Sequence, residues 1–129
     1  MLKYSRQRES IKHYLDTHPT HPTAETVYQN VKQDFPNISL GTVYRNLNLL
    51  ADRGEILRIS PGNGPDHYDA DCSPHYHFIC KNCGRVLDID MEHQAQLDEI
   101  ATKQFDGTIT NHVTHFFGLC PECKNTKNI

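Results

Sequence analysis

Two Cys-x-x-Cys pairs, Cys80/Cys83 and Cys120/Cys123, follow a run of acidic and imidazole side chains that contains Asp69, Asp71, His75 and His77. A Cys-x-x-Cys holds two sulfurs at the tip of one knuckle so that both reach a single ion, and a second pair supplies the other half of a tetrahedron. Four thiolates suit Zn²⁺ and leave no open position, the mark of a structural site. Its closure would tie Cys80 to the distant Cys120 and contribute folding free energy on the order of 10 kcal/mol. The imidazoles and carboxylates suit a harder, exchangeable divalent ion such as Fe²⁺, Mn²⁺ or Zn²⁺. In His75-Tyr76-His77, alternation along a strand puts both rings on one face, and Asp69 and Asp88 are placed to converge on it. Cys72 stands outside both pairs.

Two other chemistries use the same spacing. A redox pair opens a helix in a βαβ setting and needs no duplicate. A zinc deaminase requires His-x-Glu or Cys-x-Glu two residues before its catalytic glutamate. None of the nine histidines has that neighbour, and Cys120, already in a pair, is the one cysteine that does. The chain therefore reads as a non-enzyme with no organic small-molecule substrate.

The elements that must position these groups divide in two. Residues 1–60 carry eight Lys/Arg and six Asp/Glu, a charge of +2, whereas 61–129 carry five and ten, −5. A weakly basic first half can meet phosphate, and an acidic, histidine-rich second half suits cations. Five cysteines behind an N-terminus with no apolar leader argue for reduced thiols in the cytoplasm, and no stretch reaches membrane-spanning length.

Ser5 can cap a helix to about His18, Thr23 a second with a stripe of Ala24, Val27, Tyr28, Val31 and Phe35, and Ser39 a third with Leu40, Val43, Leu47 and Leu50 inward. Glu55–Ile59, a Pro61–Pro65 turn and Asp66–Asp69 then read as a hairpin. Three helices and a hairpin make a winged helix-turn-helix whose third helix enters the major groove; a plain helical bundle is the competing reading. The buried stripe of that helix leaves Gly41, Arg45 and Asn48 facing out, with Thr42 and Tyr44 on the flanks. Beyond a connector at Ala70–Pro74, strands are expected on either side of the first knuckle. A helix from about Glu92 to Phe105 should follow with Leu97, Ile100, Ala101 and Phe105 inward, then a β-rich stretch from Thr108 to Leu119 and a loose tail from Lys124 to Ile129.

The segments His21-Pro22-Thr23-Ala24-Glu25, Ser39 to Leu47, His75-Tyr76-His77-Phe78-Ile79-Cys80, Cys83-Gly84 and Gly118 to Cys123 together resemble the ferric uptake regulator superfamily of metal-dependent repressors, and within it the peroxide-sensing, PerR-like branch. The resemblance covers nearly the whole chain. It implies an α+β protein with an N-terminal winged helix-turn-helix DNA-binding domain, residues 1–70, followed by a small α/β dimerisation and metal-binding domain, residues 71–129. It implies structural Zn²⁺ on Cys80, Cys83, Cys120 and Cys123. Regulatory Fe²⁺ or Mn²⁺ falls between the domains on His21, Asp69, His75, His77 and Asp88. Aspartate at both acidic positions resembles the peroxide-sensing branch, in which bound iron reacts with hydrogen peroxide and a ligand imidazole is oxidised; His21 and His75 are the matching candidates. Mn²⁺ would give a repressor blind to peroxide.

The implied partners are double-stranded operator DNA and a second copy of the chain. Thr42, Tyr44 and Arg45 are expected at the groove, with Lys3 and Arg58 on phosphate. Against the resemblance, an N-terminal helix that many relatives carry ahead of the first long helix is not expected here. The superfamily's further metal site matches His112, but Pro74 stands where iron sensors carry histidine, so that site is not expected. The alternatives are an iron- or zinc-uptake regulator of the same superfamily and, more remotely, a zinc-ribbon protein-interaction module.

Overall fold

The structure, a computed structural model, describes residues 3–62 and 64–125. Met1, Leu2, Asn63 in the expected turn and residues 126–129 of the expected tail lie outside the described residues. The chain divides into two units, Met1–Ser73 and Pro74–Ile129.

In the first unit, each of the three helices opens on a hydroxyl that satisfies a free backbone donor. Ser5 Oγ accepts from Arg8 N–H at α1 (Arg6–Thr17), Thr23 Oγ1 from Thr26 N–H at α2 (Ala24–Val31), and Ser39 Oγ from Thr42 N–H at α3 (Leu40–Asp52). Such a cap is typically worth about 1 kcal/mol. Gly54, past the end of α3, takes φ 75°, a conformation that costs glycine nothing. Helix α2 stops earlier than the apolar stripe suggests: a hydrogen-bonded turn carries the chain on, with Phe35 N–H donating to Val31 O at 3.0 Å. The three stripes meet in a core of Ile11, Leu15, Val27, Val31, Val43, Leu47 and Leu50, closed by Ile56 and Tyr68. Tyr68 belongs to the wing, an antiparallel hairpin of β1 (Leu57–Ile59) and β2 (His67–Asp69) in which Arg58 faces Tyr68. The unit is a winged helix-turn-helix, built on the helix pattern the sequence carries.

The second unit is a three-stranded sheet ordered β4-β3-β5, from β3 (Tyr76–Cys80), β4 (Val86–Ile89) and β5 (His115–Gly118), with helices α4 (Gln96–Thr102) and α5 (Pro121–Lys124). β4 returns antiparallel beside β3, whereas β5 runs parallel to it, Ile79 facing Phe117 and Cys80 facing Gly118. A parallel partner needs a crossover, here supplied by β4 and α4. Because β3 and β5 point the same way, the cysteines that end them arrive together.

Two expectations for this unit fail. The helix expected from Glu92 to Phe105 is confined to Gln96–Thr102 and buries none of its residues; Leu97, Ile100, Ala101 and Phe105, expected inward, are exposed. A 3.6-residue period reports an apolar face but not the surface that covers it, and among the described residues nothing does. The β-rich stretch from Thr108 reduces to β5 alone. Among the described residues no helix is long and apolar enough to cross a membrane.

Candidate metal centres

Cys80 closes β3, Cys83 lies three residues on in the knuckle, Cys120 is the N-cap of α5 and Cys123 lies within that helix. One sulfur from each lies within 4.8 Å of all the others, and Cys83 Sγ is 3.7 Å from Cys120 Sγ. A tetrahedral ion with metal–sulfur bonds of about 2.3 Å would hold its sulfurs about 3.8 Å apart, so the thiols stand at the spacing of a closed Zn²⁺ site. Donors already point at the sulfurs: the backbone N–H groups of Cys83 and Cys120 both approach Cys80 Sγ at 3.4 Å, and the Asn82 amide reaches Cys123 Sγ at 3.2 Å. The Cys83 N–H above all, with those of Cys120 and Asn82, draws the Cys80 thiol down to about 6 against the cost of burial. At Cys123 the Asn82 amide pulls the same way, but burial and the sulfurs of Cys120, Cys80 and Cys83 outweigh it and push that thiol up to about 11. Four thiols this close do not all ionise unaided. A dication at their centre makes four thiolates compatible.

The mixed donors lie in both units, and each set is described by itself. In the first unit His21 Nε2 is 3.1 Å from Asp69 Oδ2, both side chains almost fully buried. His21 holds φ 58°, a left-handed conformation that costs a non-glycine residue about 1–2 kcal/mol. The wing holds it there. His67 Nδ1 lies 2.7 Å from the His21 carbonyl, and since a carbonyl only accepts, that nitrogen carries the proton. Tyr68 N–H donates to Pro22 O at 2.9 Å, and Thr23 bridges to His67. Asp69 Oδ1 in turn accepts from Asp71 N–H.

In the second unit, Asp88 of β4 faces His77 of β3 in register. Asp88 Oδ1 is 3.2 Å from His75 Nε2 and 3.5 Å from His77 Nε2, and the two rings meet edge-on at 4.4 Å. His75 precedes the first residue of β3, yet its ring remains beside that of His77. His115, opposite His77 on β5, is held below the usual imidazole range by burial and by His77.

A third set in the second unit was not expected. His93, Asp98 and His112 each offer a donor atom within 4.8 Å of the others. His112 Nδ1 is 2.9 Å from Asp98 Oδ1, its Nε2 is 2.9 Å from Tyr76 Oη, and its ring stacks on that of His93.

On α3, Gly41, Tyr44, Arg45 and Asn48 are exposed and Thr42 is half-buried. Arg45 Nη2 donates to Thr42 Oγ1 at 2.9 Å. Arg58 is engaged on the protein: Nη1 donates to Asn48 Oδ1 at 2.8 Å and Nη2 lies 3.7 Å from Asp52. Lys3 is exposed, and its carbonyl accepts from Arg8. Cys72 is exposed and directs its Sγ at Gly54 O.

The profile of the ferric uptake regulator family matches residues 1–117. The chain belongs to this family. Ferric uptake regulator family members are metal-responsive transcriptional regulators, not enzymes. The peroxide-responsive repressor PerR of Staphylococcus aureus is 34% identical over 124 residues, 96% of this chain and 84% of that protein. The ferric uptake regulator Fur of Helicobacter pylori superposes with a TM-score of 0.83 at 26% identity, over 98% of this chain and 85% of that one. The peroxide stress regulator of Campylobacter jejuni does so with 0.78 at 28%, over 91% and 88%.

Among the residues that serve these centres, sequence reasoning singles out neither His67, Asn82, His93 nor Asp98. His67 shares the face of Asp69 by its i, i+2 spacing on β2, a signal the sequence does carry. Asn82 sits inside the first knuckle. His93 and Asp98 have no such marker, because only the crossover brings them to His112.

Proposed function

We propose that this ferric uptake regulator family protein is a homodimeric, metal-dependent repressor of double-stranded operator DNA, acting in the cytoplasm, whose regulatory site senses hydrogen peroxide. The observation that carries this reading is that the harder donors form two incomplete sets. His21 and Asp69 offer two donors in the first unit; His75, His77 and Asp88 offer three in the second. Neither alone fills the shell of Fe²⁺ or Mn²⁺, and five donors on one exchangeable ion would fix the angle between the units. Metal then favours the pose in which the α3 helices of a dimer meet successive major-groove half-sites, Tyr44, Arg45 and Thr42 against bases. Arg58 would have to leave Asn48 and Asp52 to join Lys3 on phosphate. A coupling of about 1–3 kcal/mol between metal and DNA suffices for regulation. Residues 1–70 supply DNA binding and 71–129 dimerisation, for which the uncovered faces of α4 and β5 are suited. The thiol set holds Zn²⁺, which adds to the stability of the second unit.

Peroxide sensing is favoured by the S. aureus relative and by aspartate, not glutamate, as both carboxylates. Fe²⁺ held by these donors would supply the redox chemistry that cleaves hydrogen peroxide, one oxygen atom going to a ring carbon of His21 or His75 and the other leaving as water. The oxidised ring would be a weaker donor, so the ion would leave and the repressor would release DNA. The test is mass spectrometry of Fe²⁺-loaded protein after a peroxide pulse, with operator binding measured in parallel. One oxygen on the peptide bearing His21 or His75, with loss of binding, is expected; the Mn²⁺ form should stay unmodified and bound. Unmodified Fe²⁺ protein that still binds DNA would reassign it to iron or zinc homeostasis. Binding indifferent to chelators would leave only the zinc-ribbon reading.

A further inference from the structure

Among the described buried side-chain polar atoms, one has no hydrogen-bond partner, His93 Nδ1. Leaving such a group unpaired is unfavourable, and this nitrogen belongs to a ring stacked at 4.7 Å and 11° on His112, the ring that Asp98 and Tyr76 hold. We infer that His93, Asp98 and His112 form a separate site for a divalent transition ion, Zn²⁺ being the best match to two imidazoles and one carboxylate. It shares His112 with the family's further metal site, but Pro74 stands at a histidine position of that site, and His93 and Asp98 are not among the residues that the resemblance matches.

The geometry favours an ion over a purely structural network. Tetrahedral zinc with bonds of about 2.0–2.1 Å keeps its donors about 3.4 Å apart. His112 Nδ1 and Asp98 Oδ1 are already within that distance, and a rotation of the His93 ring brings its nitrogen in from at most 4.8 Å. Both His112 and Asp98 retain some exposure, 17% and 24% of their side chains, so an ion can enter from solvent. Three protein donors leave an open position, as in exchangeable rather than structural zinc sites.

The His112 ring already has partners that can support a bound ion. Gln94 N–H donates to Tyr76 Oη at 2.8 Å, which leaves the Tyr76 proton to be donated to His112 Nε2 and the His112 proton on Nδ1, facing Asp98. An ion on Nδ1 requires the other tautomer. The ring proton moves to Nε2, and Tyr76 Oη turns its own proton away and accepts it, the usual support for a metal-bound imidazole.

Zn²⁺ titration of the intact protein, followed by native mass spectrometry, tests this. The wild type should bind one more ion per chain than Asp98→Asn or His93→Phe. Asn at 98 still accepts from His112 and Phe at 93 keeps the stacked ring, so both variants preserve the fold while losing a donor. Each should weaken this site at least ~10-fold and leave the thiol ion untouched; His77→Ala should leave this site intact. A second readout needs no variant: on Zn²⁺ addition the ¹⁵N resonances of the His112 ring should exchange the Nδ1–H pattern for Nε2–H. Variants that bind zinc as the wild type does, or His93 and His112 resonances that do not move, would overturn the site and leave a hydrogen-bonded network.

Discussion

His21 carries two burdens at once, a left-handed backbone and a ring turned toward Asp69, and the first is borne by a neighbour. The proton that His67 donates to the His21 carbonyl fixes the peptide plane from which the imidazole projects. Removing it should cost little fold stability, about 1 kcal/mol for one hydrogen bond, but should loosen a metal donor. His67→Ala is therefore expected to weaken Mn²⁺ binding by about 10–100-fold, with only a few degrees lost from the thermal midpoint. His67→Asn, whose amide can donate to the same carbonyl, should recover most of that affinity. Equal Mn²⁺ affinity in all three proteins would reduce His67 to an ordinary wing residue.

α4 buries no residue, and β5, at the sheet edge, exposes Phe116 and Phe117. Leu97, Ile100 and Leu119 are exposed as well. In the proposed homodimer a second copy would cover apolar side chains of this kind. Ile100→Glu or Phe117→Glu should raise the dimer dissociation constant by tenfold or more in sedimentation experiments, since each places a charge where apolar area of 2 kcal/mol or so would be buried. A dimer unchanged by both would send the partner surface elsewhere. Operator binding should fall with dimerisation while the isolated first-unit fold, judged by its helical signal, is kept.

The two units depend on different physics. The first rests on an apolar core; the second has a small interior in which Cys80, Cys120 and Cys123 replace part of the hydrocarbon. Cys80 shows what this does to pH dependence. Its folded pKa of about 6 lies below the ordinary 9.0. The unfolded chain therefore binds more protons between those values. The stabilisation is present above about 9 and lost as pH falls through about 6. Metal-stripped, reduced protein should show its second unit melting at lower temperature as pH is lowered across that window, with the first unit's transition nearly fixed; near-ultraviolet circular dichroism can follow both. A second unit whose melting ignores pH would mean Cys80 is not held as described.

This division also sets how much was legible. Caps at Ser5, Thr23 and Ser39 and the stripes behind them are local signals, so the winged helix could be read almost residue by residue. The paired cysteines were legible because their spacing is itself the chemistry. The environment of the α4 face was not legible, because an apolar period does not say what covers it. His93 and Asp98 were not legible because they lie five residues from each other and nineteen and fourteen from His112, separations that match no periodicity, and they become neighbours only through the crossover.

The parallel run of β3 and β5 has an outcome in biosynthesis. Forty residues of chain separate Cys80 from Cys120, so half of the sulfur cage waits, on the ribosome, for the strand that delivers the rest. The helices of the first unit can fold while that wait lasts. In the repressor proposed above, the reading head would thus form before its lock, and cellular zinc supply, at that late moment, would decide which chains mature.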